Sequence, residues 1–138
     1  MRKTYQVTKA AEYESLRHFR ELIKQAAQDW LQIDAQTVYD LQLAIEEAAM
    51  NVIAHGYAGM NPGSMIFSME IDEKRVRMSL IDFGHPFEPS SPPSPDLEAA
   101  LEDRDMGGFG LFFIYQTMDS VNYETSFLGN TLILVKNL

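Results

Sequence analysis

The sequence predicts an α+β two-layer sandwich, in which helices cover one face of a mixed, mainly antiparallel sheet. Three observations lead to this fold class. Two early segments carry apolar residues at helical spacing, a later pair of segments alternates polar and apolar residues, and 46% of the 138 residues are hydrophobic. This content can bury one core, and no linker or internal repeat divides the chain. We therefore expect a single domain over residues 1–138.

The first part of the chain is predicted to form a short strand and two helices. Residues 3–8 are interpreted as the strand. The first helix, over 10–30, carries an apolar residue at every third or fourth position: Leu16, Phe19, Ile23, Ala26 and Trp30. The second helix, over 34–55, has its own apolar face, and Gly56 follows as a terminator: Leu41, Ala44, Ile45, Ala48 and Val52.

The pattern then changes from helical spacing to alternation. Apolar residues at every second position predict a β-hairpin, which is followed by a Pro- and Ser-rich loop, two helices and a closing pair of strands. In chain order these elements are strands 65–71 and 76–80 around a turn at 72–74, the loop at 86–95, a short helix from Asp96, a helix from 107–110 to about Met118, and strands near 121–127 and 131–136.

Charge and composition exclude several classes of protein. Eleven Lys and Arg against 20 Asp and Glu give a formal net charge of −9, which disfavours binding to nucleic acid or an anionic membrane surface. The absence of cysteine excludes disulfides and thiolate metal sites. No stretch approaches the roughly 20 apolar residues of a membrane span. We expect a cytoplasmic protein without a membrane segment.

The second predicted helix carries a polar line beside its apolar face. Glu47, Asn51 and His55 are each four residues apart and share one face of a regular helix. The amide oxygen of Asn51 is a suitable Mg²⁺ ligand, and Glu47 could deprotonate a nucleophile beside a metal-bound phosphate. An ordinary amphipathic helix with solvated Glu and Asn side chains explains the same pattern, so this motif alone does not decide between them.

A second motif, Ile81-Asp82-Phe83-Gly84, directly follows a predicted strand. An aspartate at a strand end can accept a hydrogen bond from an exocyclic amine such as that of adenine. Gly84 would let a ligand approach the backbone closely. Asp and Gly are also common in turns, which is the alternative interpretation.

The third motif is the glycine-rich segment Gly107-Gly108-Phe109-Gly110-Leu111 at the start of a predicted helix. Glycines at this place expose backbone N–H groups and the positive end of the helix dipole, an arrangement that suits phosphate. No Lys-Ser or Lys-Thr pair follows, which excludes the common phosphate-loop motif, and no strand leads into it as in dinucleotide-binding folds. A flexible hinge is the alternative.

The order of the three motifs is more specific than any one of them. The combination resembles the ATP-binding domain of the superfamily of gyrase, Hsp90, histidine kinases and MutL. It consists of a helical Glu-x-x-x-Asn, an Asp-x-Gly after a strand, a Gly-x-Gly-Leu at a helix start and a threonine in the last strand. Within this superfamily, LAIEEAAMNVIAHGY, IDFGHPFEP and GGFGLFFIYQTMD are most similar to the bacterial anti-sigma-factor serine/threonine protein kinases. The resemblance covers nearly the whole chain and implies a Bergerat-type (GHKL) fold.

The resemblance also implies roles for residues of the second helix. Asn51 would be the Mg²⁺ ligand and Glu47 the catalytic base. Glu46 stands where these kinases often carry a small polar residue, so two carboxylates are adjacent. Neighbouring side chains on a helix point about 100° apart, and Glu47 is the one that shares a face with Asn51.

The nucleotide would lie on the other matched residues. Asp82, with Gly84 beside it, would bind the adenine amine, and Thr131 would support the adenine end. Gly108 and Gly110 would flank the triphosphate, beneath a lid formed by the Pro-rich stretch up to Met106. The predicted lid is acidic around one arginine, which is unusual beside a triphosphate: Glu98, Glu102, Asp103, Arg104 and Asp105.

By resemblance, the expected activity is ATP- and Mg²⁺-dependent phosphorylation of a serine or threonine in an anti-anti-sigma (STAS-domain) protein, by a homodimer that also binds a sigma factor. Direct contact with nucleic acid or a membrane is not expected. A protein of this fold could also bind ATP or ADP and switch partners without transferring phosphate. The acidic lid is the feature that keeps this second hypothesis open.

Overall fold

The computed structural model describes residues 1–86 and 108–138, with the backbone alone for 108–112. These ranges contain five strands and three α-helices, with a 3₁₀ turn before α1 and a π-helical turn after α2. In chain order they are β1 (Arg2–Ala10), the 3₁₀ turn (Tyr13–Ser15), α1 (Leu16–Ala27), α2 (Ala35–Asn51), the π turn (Val52–Gly56), β2 (Ser64–Asp72), β3 (Arg75–Asp82), α3 (Gly108–Thr117), β4 (Ser120–Ser126) and β5 (Gly129–Asn137).

The strands form one sheet in the order β1-β2-β3-β5-β4, with all four pairings antiparallel. The predicted α+β sandwich is confirmed, and the described sheet contains no parallel pair. The last strand, β5, lies between β3 and β4. In its register with β3, Met78 is opposite Leu134 and Asp82 is opposite Asn130.

One face of the sheet packs against the helices and holds the core. The buried stripe predicted for α1 is confirmed, and the ring of Phe19 meets that of Phe67 on β2 with centroids 5.2 Å apart. Each large apolar side chain buried in this way contributes about 1.5–3 kcal/mol. The strand residues of the core are Met65, Phe67, Met69, Ile71, Val76, Met78, Leu80 and Leu134.

The first helix is shorter than the sequence predicts. Strand β1 extends to Ala10. The backbone N–H of the next residue, Ala11, donates a hydrogen bond to the carbonyl oxygen of Gly63 at 2.8 Å. The hydroxyl of Ser15 then donates to the carbonyl oxygen of Ala10 at 2.7 Å. These bonds hold the chain in a strand and a turn before α1 begins at Leu16.

The second helix is confirmed, with a change of geometry near its end. Asp34 caps α2 by accepting a hydrogen bond from the backbone N–H of Thr37 at 2.8 Å. After Asn51 the helix widens into the π turn Val52–Gly56. Such turns are rare and often mark functional sites, because they displace the residues that follow.

The later elements agree with the predicted order. The hairpin β2–β3 turns after Asp72, and the closing hairpin turns at Phe127 and Leu128, slightly before the predicted position. The predicted loop and the helix from Asp96 lie outside the described residues. Among the helices of the described ranges, none combines the length and the apolar character needed to cross a membrane.

Candidate functional site

A cleft opens between the end of α2 and the helix-facing side of the sheet, which we call the central cleft. It holds about 430 Å³ of empty space continuous with solvent. Its lining is mainly apolar, with a few polar side chains from different elements: Ala48, Asn51, Val52, Gly56, Leu80, Asp82, His85, Ile114, Tyr123 and Leu132.

Asp82 ends β3 and projects into the central cleft from a nearly buried position, 5% exposed. Its Oδ1 accepts two hydrogen bonds, from the backbone N–H of Gly84 at 2.9 Å and from Nδ2 of Asn130 at 3.0 Å. Within residues 1–86 and 108–138, Oδ2 receives no such bond. The carboxylate is therefore held by one oxygen and has the other available to a donor in the cleft.

The backbone after Asp82 packs against the π turn of α2. A Cβ on Gly84 would overlap the carbonyl oxygen of Gly56 and would lie 3.1 Å from the backbone nitrogen of Tyr57. That same Gly56 oxygen accepts a hydrogen bond from the backbone N–H of His85 at 2.5 Å. The sequence suggested that Gly84 leaves room for a ligand. The structure gives a nearer reason, which is contact between two backbone segments.

Tyr57 also holds the backbone that follows Asp82. Its hydroxyl accepts a hydrogen bond from the backbone N–H of Phe83 at 3.0 Å and donates one to the carbonyl oxygen of Ser64 at 2.8 Å. Burial, and to a smaller extent the nearby Asp82 carboxylate, raise the pKa of Tyr57, which keeps its hydroxyl protonated as a donor. The strand end that carries Asp82 is thus fixed by side-chain and backbone bonds.

Asn51 and Glu47 lie on successive turns of α2. Asn51 is buried, 9% exposed, and its side chain lines the central cleft, whereas Glu47 is half-buried and not part of that lining. The predicted third member of the polar line, His55, falls in the π turn and is exposed. The wider turn therefore separates His55 from the face that Asn51 presents.

The two adjacent carboxylates of α2 have different environments. Glu46 forms an ion pair with Arg20 on α1. Burial, followed by the proximity of Glu46, raises the pKa of Glu47 above the ordinary glutamate range. Glu46 thus contributes to the contact between helices, and Glu47 is the carboxylate whose pKa is raised by burial.

Thr131 is not brought to the central cleft, contrary to the expectation. Asp82 is directly opposite Asn130 on β5, and Thr131 is opposite Ile81. Because successive side chains of a strand point to opposite faces, Thr131 lies on the sheet face away from the helices. Asn130, which the sequence analysis missed, occupies the position beside Asp82.

The sequence offers a reason for this miss. Strand β5 carries apolar residues at four successive positions, Leu132 to Val135, so alternation does not indicate which side chains face the core. The cleft residues His85, Ile114 and Tyr123 were likewise not identified as site residues. His85 and Ile114 lie within the segments that resemble the kinases but were given no role, and Tyr123 lies outside them.

The predicted phosphate segment is described in part. Gly108 and Gly110 belong to the first turn of α3, in agreement with the predicted helix start. Gly107 and the predicted acidic lid before it lie outside the described residues. In the part of the chain that the structure describes, no three His, Asp or Glu side chains gather as a metal-binding group.

The arrangement suits a flat, mostly apolar ligand with an amine at one edge. The side chains of Leu80, Ile114 and Leu132 give the cleft its apolar walls. At the sheet side, Oδ2 of Asp82 can accept a hydrogen bond, and at the α2 side the amide of Asn51 provides an oxygen. A heteroaromatic base attached to a phosphorylated sugar has this combination of groups.

Several known proteins are similar in sequence to this chain. The chain is 25% identical over 103 residues to the serine/threonine-protein kinase BtrW of Bordetella bronchiseptica, which is 75% of this chain and 72% of that protein. It is 25% identical to an anti-sigma F factor of Clostridium beijerinckii over 72% of this chain and 69% of that protein. It is 29% identical to the serine-protein kinase RsbW of Oceanobacillus iheyensis over 67% of this chain and 61% of that protein.

The family match extends over almost all of the chain. The family described as the histidine kinase-like ATPase domain matches residues 9–136, which include every strand and helix that lines the central cleft. The protein belongs to the histidine kinase-like ATPase domain family.

Proposed function

We propose that this protein is a bacterial anti-sigma factor and an ATP-dependent serine/threonine kinase that phosphorylates an anti-anti-sigma partner. One observation carries the proposal: Asp82 and Asn51 line the same apolar cleft in a chain of this ATPase family. The similarity to proteins named anti-sigma F factor and serine-protein kinase RsbW supports the biological role.

ATP fits the residues of the central cleft. The free Oδ2 of Asp82 suits the amine of adenine, and the apolar walls suit its ring. The N-terminal turn of α3, with Gly108 and Gly110, suits the phosphates because it presents backbone N–H groups. Asp82 and these glycines thus bind the two ends of the nucleotide.

Asn51 suits Mg²⁺, because the amide oxygen of this residue is a hard ligand on the cleft wall. One such ligand is sufficient, since Mg²⁺ commonly takes only one or two protein ligands beside phosphate and water. When bound, Mg²⁺ neutralises phosphate charge and helps to orient the transferred group. Asn51 would hold the ion at the α2 side of the cleft, away from the Asp82 carboxylate that receives the base.

Glu47 is the proposed general base. Its carboxylate would take the proton of the partner's serine hydroxyl as that oxygen bonds to the terminal phosphorus and ADP leaves. The raised pKa of Glu47 favours this role, because a base is most effective when its pKa approaches the working pH. The ion pair between Glu46 and Arg20 supports the choice of Glu47 over Glu46.

The proposed partners are a sigma factor and a STAS-domain anti-anti-sigma protein, and a protein that binds a sigma factor works in the cytoplasm. We also propose a homodimer. The outward sheet face carries the half-buried apolar side chains Ile66, Ile81, Ile133 and Val135, which a second copy could cover. The acidic net charge of the chain is unfavourable for direct binding to nucleic acid.

The test is transfer of phosphate to a purified STAS-domain protein from the same organism, detected as phosphoserine or phosphothreonine by mass spectrometry. Wild type with ATP and Mg²⁺ should modify the partner, and Glu47→Gln should lower the rate by about 100-fold or more. Glu46→Gln is the matched control and should retain most activity. If Glu47→Gln leaves transfer undiminished, the assigned base is wrong.

A second candidate function is a nucleotide-dependent partner switch without transfer. The acidic residues of the predicted lid favour it, because a lid of this composition would bring negative charge to a triphosphate: Glu98, Glu102, Asp103 and Asp105. This alternative predicts that ATP and ADP change affinity for the sigma factor while no phosphorylated partner forms. Phosphorylation that depends on ATP and on Asn51 would exclude it.

A further inference from the structure

Three neighbouring strands place polar side chains in one row at the sheet side of the central cleft. Asp82 on β3 is opposite Asn130 on β5, and Asn130 is in turn opposite Thr125 on β4. The row is linked by hydrogen bonds, with Thr125 Oγ1 2.7 Å from Asn130 Oδ1 and Asn130 Nδ2 3.0 Å from Asp82 Oδ1. It runs from the exposed edge strand to the buried carboxylate.

The hydrogen bonds fix which way the amide of Asn130 points. Its Nδ2 also lies 2.9 Å from the carbonyl oxygen of Gly84, so this nitrogen donates to two acceptors. If the amide were reversed, its oxygen would face the oxygens of Asp82 and Gly84, and three acceptors would meet without a donor. The hydroxyl of Thr125 donates to Oδ1 and favours the observed orientation.

The amide thereby fixes the plane of the Asp82 carboxylate. Asn130 is 2% exposed, so water cannot readily replace its hydrogen bonds. With one carboxylate oxygen held by Asn130 and Gly84, the plane of the carboxylate is fixed, because a half-turn only exchanges its two equivalent oxygens. The other oxygen is left as an acceptor on a residue that lines the cleft.

We propose that Asn130 is a positioning residue for base selection, held by Thr125, which orients Asp82 so that the site prefers a purine with an exocyclic amine. The proposal rests on the proposed nucleotide site and deepens it. A ring with a carbonyl at the same position would bring an acceptor against Oδ2 and would be disfavoured. Asn130 acts through Asp82 and need not touch the base itself.

The experiment compares the affinities of ADP and IDP, each with Mg²⁺, by calorimetry. IDP replaces the amine of the base by a carbonyl, so the ratio of the two affinities measures base selection. Wild type should prefer ADP by about 10- to 100-fold, as expected for a hydrogen bond to a charged acceptor. Asn130→Ala should reduce this ratio to about threefold or less, and Thr125→Val should give an intermediate ratio.

Asn122→Ala is the matched control, because Asn122 is an exposed amide on the same hairpin and faces away from the cleft. It should keep the wild-type ratio. A merely structural role for Asn130 would lower both affinities together, and that result overturns the proposal. So does an unchanged ratio in Asn130→Ala.

The remaining outcomes separate this inference from the function on which it rests. If wild type binds neither nucleotide, the proposed ATP site fails and the inference with it. If wild type selects ADP and Thr125→Val selects it equally well, only the inference fails. Circular dichroism checks folding, and if Asn130→Ala does not fold, the Thr125→Val ratio decides, since Thr125 is exposed and its loss leaves the core intact.

Discussion

Gly84 and Gly56 touch through their backbones, so that the carbonyl oxygen of Gly56 occupies the space where a side chain on Gly84 would begin. This contact joins the end of β3 to the π turn of α2. The backbone N–H of His85 strengthens it by donating to the same oxygen. The two elements that carry Asp82 and Asn51 are therefore held at a fixed separation.

Gly84→Ala should destabilise the fold and weaken nucleotide binding together. The new methyl must push the β3 end away from the π turn, at a cost of about 1–3 kcal/mol, which should lower the melting temperature by several degrees. Gly56→Ala is the contrasting variant, because its Cβ would meet Asp82 Oδ1 and Val52 Cγ1 at an ordinary 3.5 Å. Equal melting temperatures for the two variants would contradict the close contact.

Asn51→Ala should remove the dependence of ADP binding on Mg²⁺. In wild type, we expect calorimetry to show an affinity about tenfold or more higher with Mg²⁺ than with EDTA, since the ion adds contacts to charged groups. The variant should bind equally weakly in both. Gln42→Ala, which removes another amide from the same helix, should keep the effect of Mg²⁺. A full Mg²⁺ effect in Asn51→Ala would place the metal ligand elsewhere.

Glu47 should make the fold less stable as pH rises through its raised pKa. Between the ordinary glutamate pKa and this raised value, the folded chain holds a proton that the unfolded chain has released, so stability falls as pH increases through that interval. Glu47→Gln should therefore melt at a higher temperature than wild type at neutral pH, with the difference shrinking towards about pH 4.

Melting curves across this pH range test the point, with Glu46→Gln as the comparison. That variant breaks the partly exposed ion pair with Arg20 and should be neutral or slightly less stable, by about 0–1 kcal/mol. If Glu47→Gln gives no gain at neutral pH, its carboxylate carries no burial penalty. A gain in stability that accompanies loss of transfer is typical of residues kept for function.

Thr131→Val should bind ADP within about twofold of wild type, because Thr131 lies on the outer face of the sheet. Asn130→Ala should lose affinity in the same titration. The pair of variants separates two neighbouring residues by the face on which each lies. A large loss in Thr131→Val with none in Asn130→Ala would reverse the assignment of faces.

The fold could be predicted from the sequence where one period dominates. The stripe from Leu16 to Ala26 and the alternation from Met65 to Ile71 each match one kind of secondary structure, and both are confirmed. The start of α1 could not be predicted, since it depends on hydrogen bonds from Ala11 to Gly63 across the sheet. Contacts between residues far apart in the chain do not change the local spacing of apolar residues, so the sequence pattern does not reveal them.

The sequence predicted two residues of the candidate site but not the contacts that hold them. Asp82 and Asn51 were identified by motif and line one cleft, but the partner of Asp82 was not found because β5 is apolar on both faces. The π turn was also unforeseen, and it removes His55 from the expected line. Glu47 could be separated from Glu46 by helix geometry alone, and the Arg20 ion pair adds a physical reason.

The position of β5 has a consequence for how the cleft is assembled. Residues 129–137 follow β4 in the chain, yet they fill the gap between β3 and β4. Until they arrive, β3 has an unpaired edge and Asp82 has no Asn130, a contact that joins residues 48 apart in the chain. The sheet side of the cleft therefore depends on pairing between strands that are distant in the chain, and local folding alone cannot complete it.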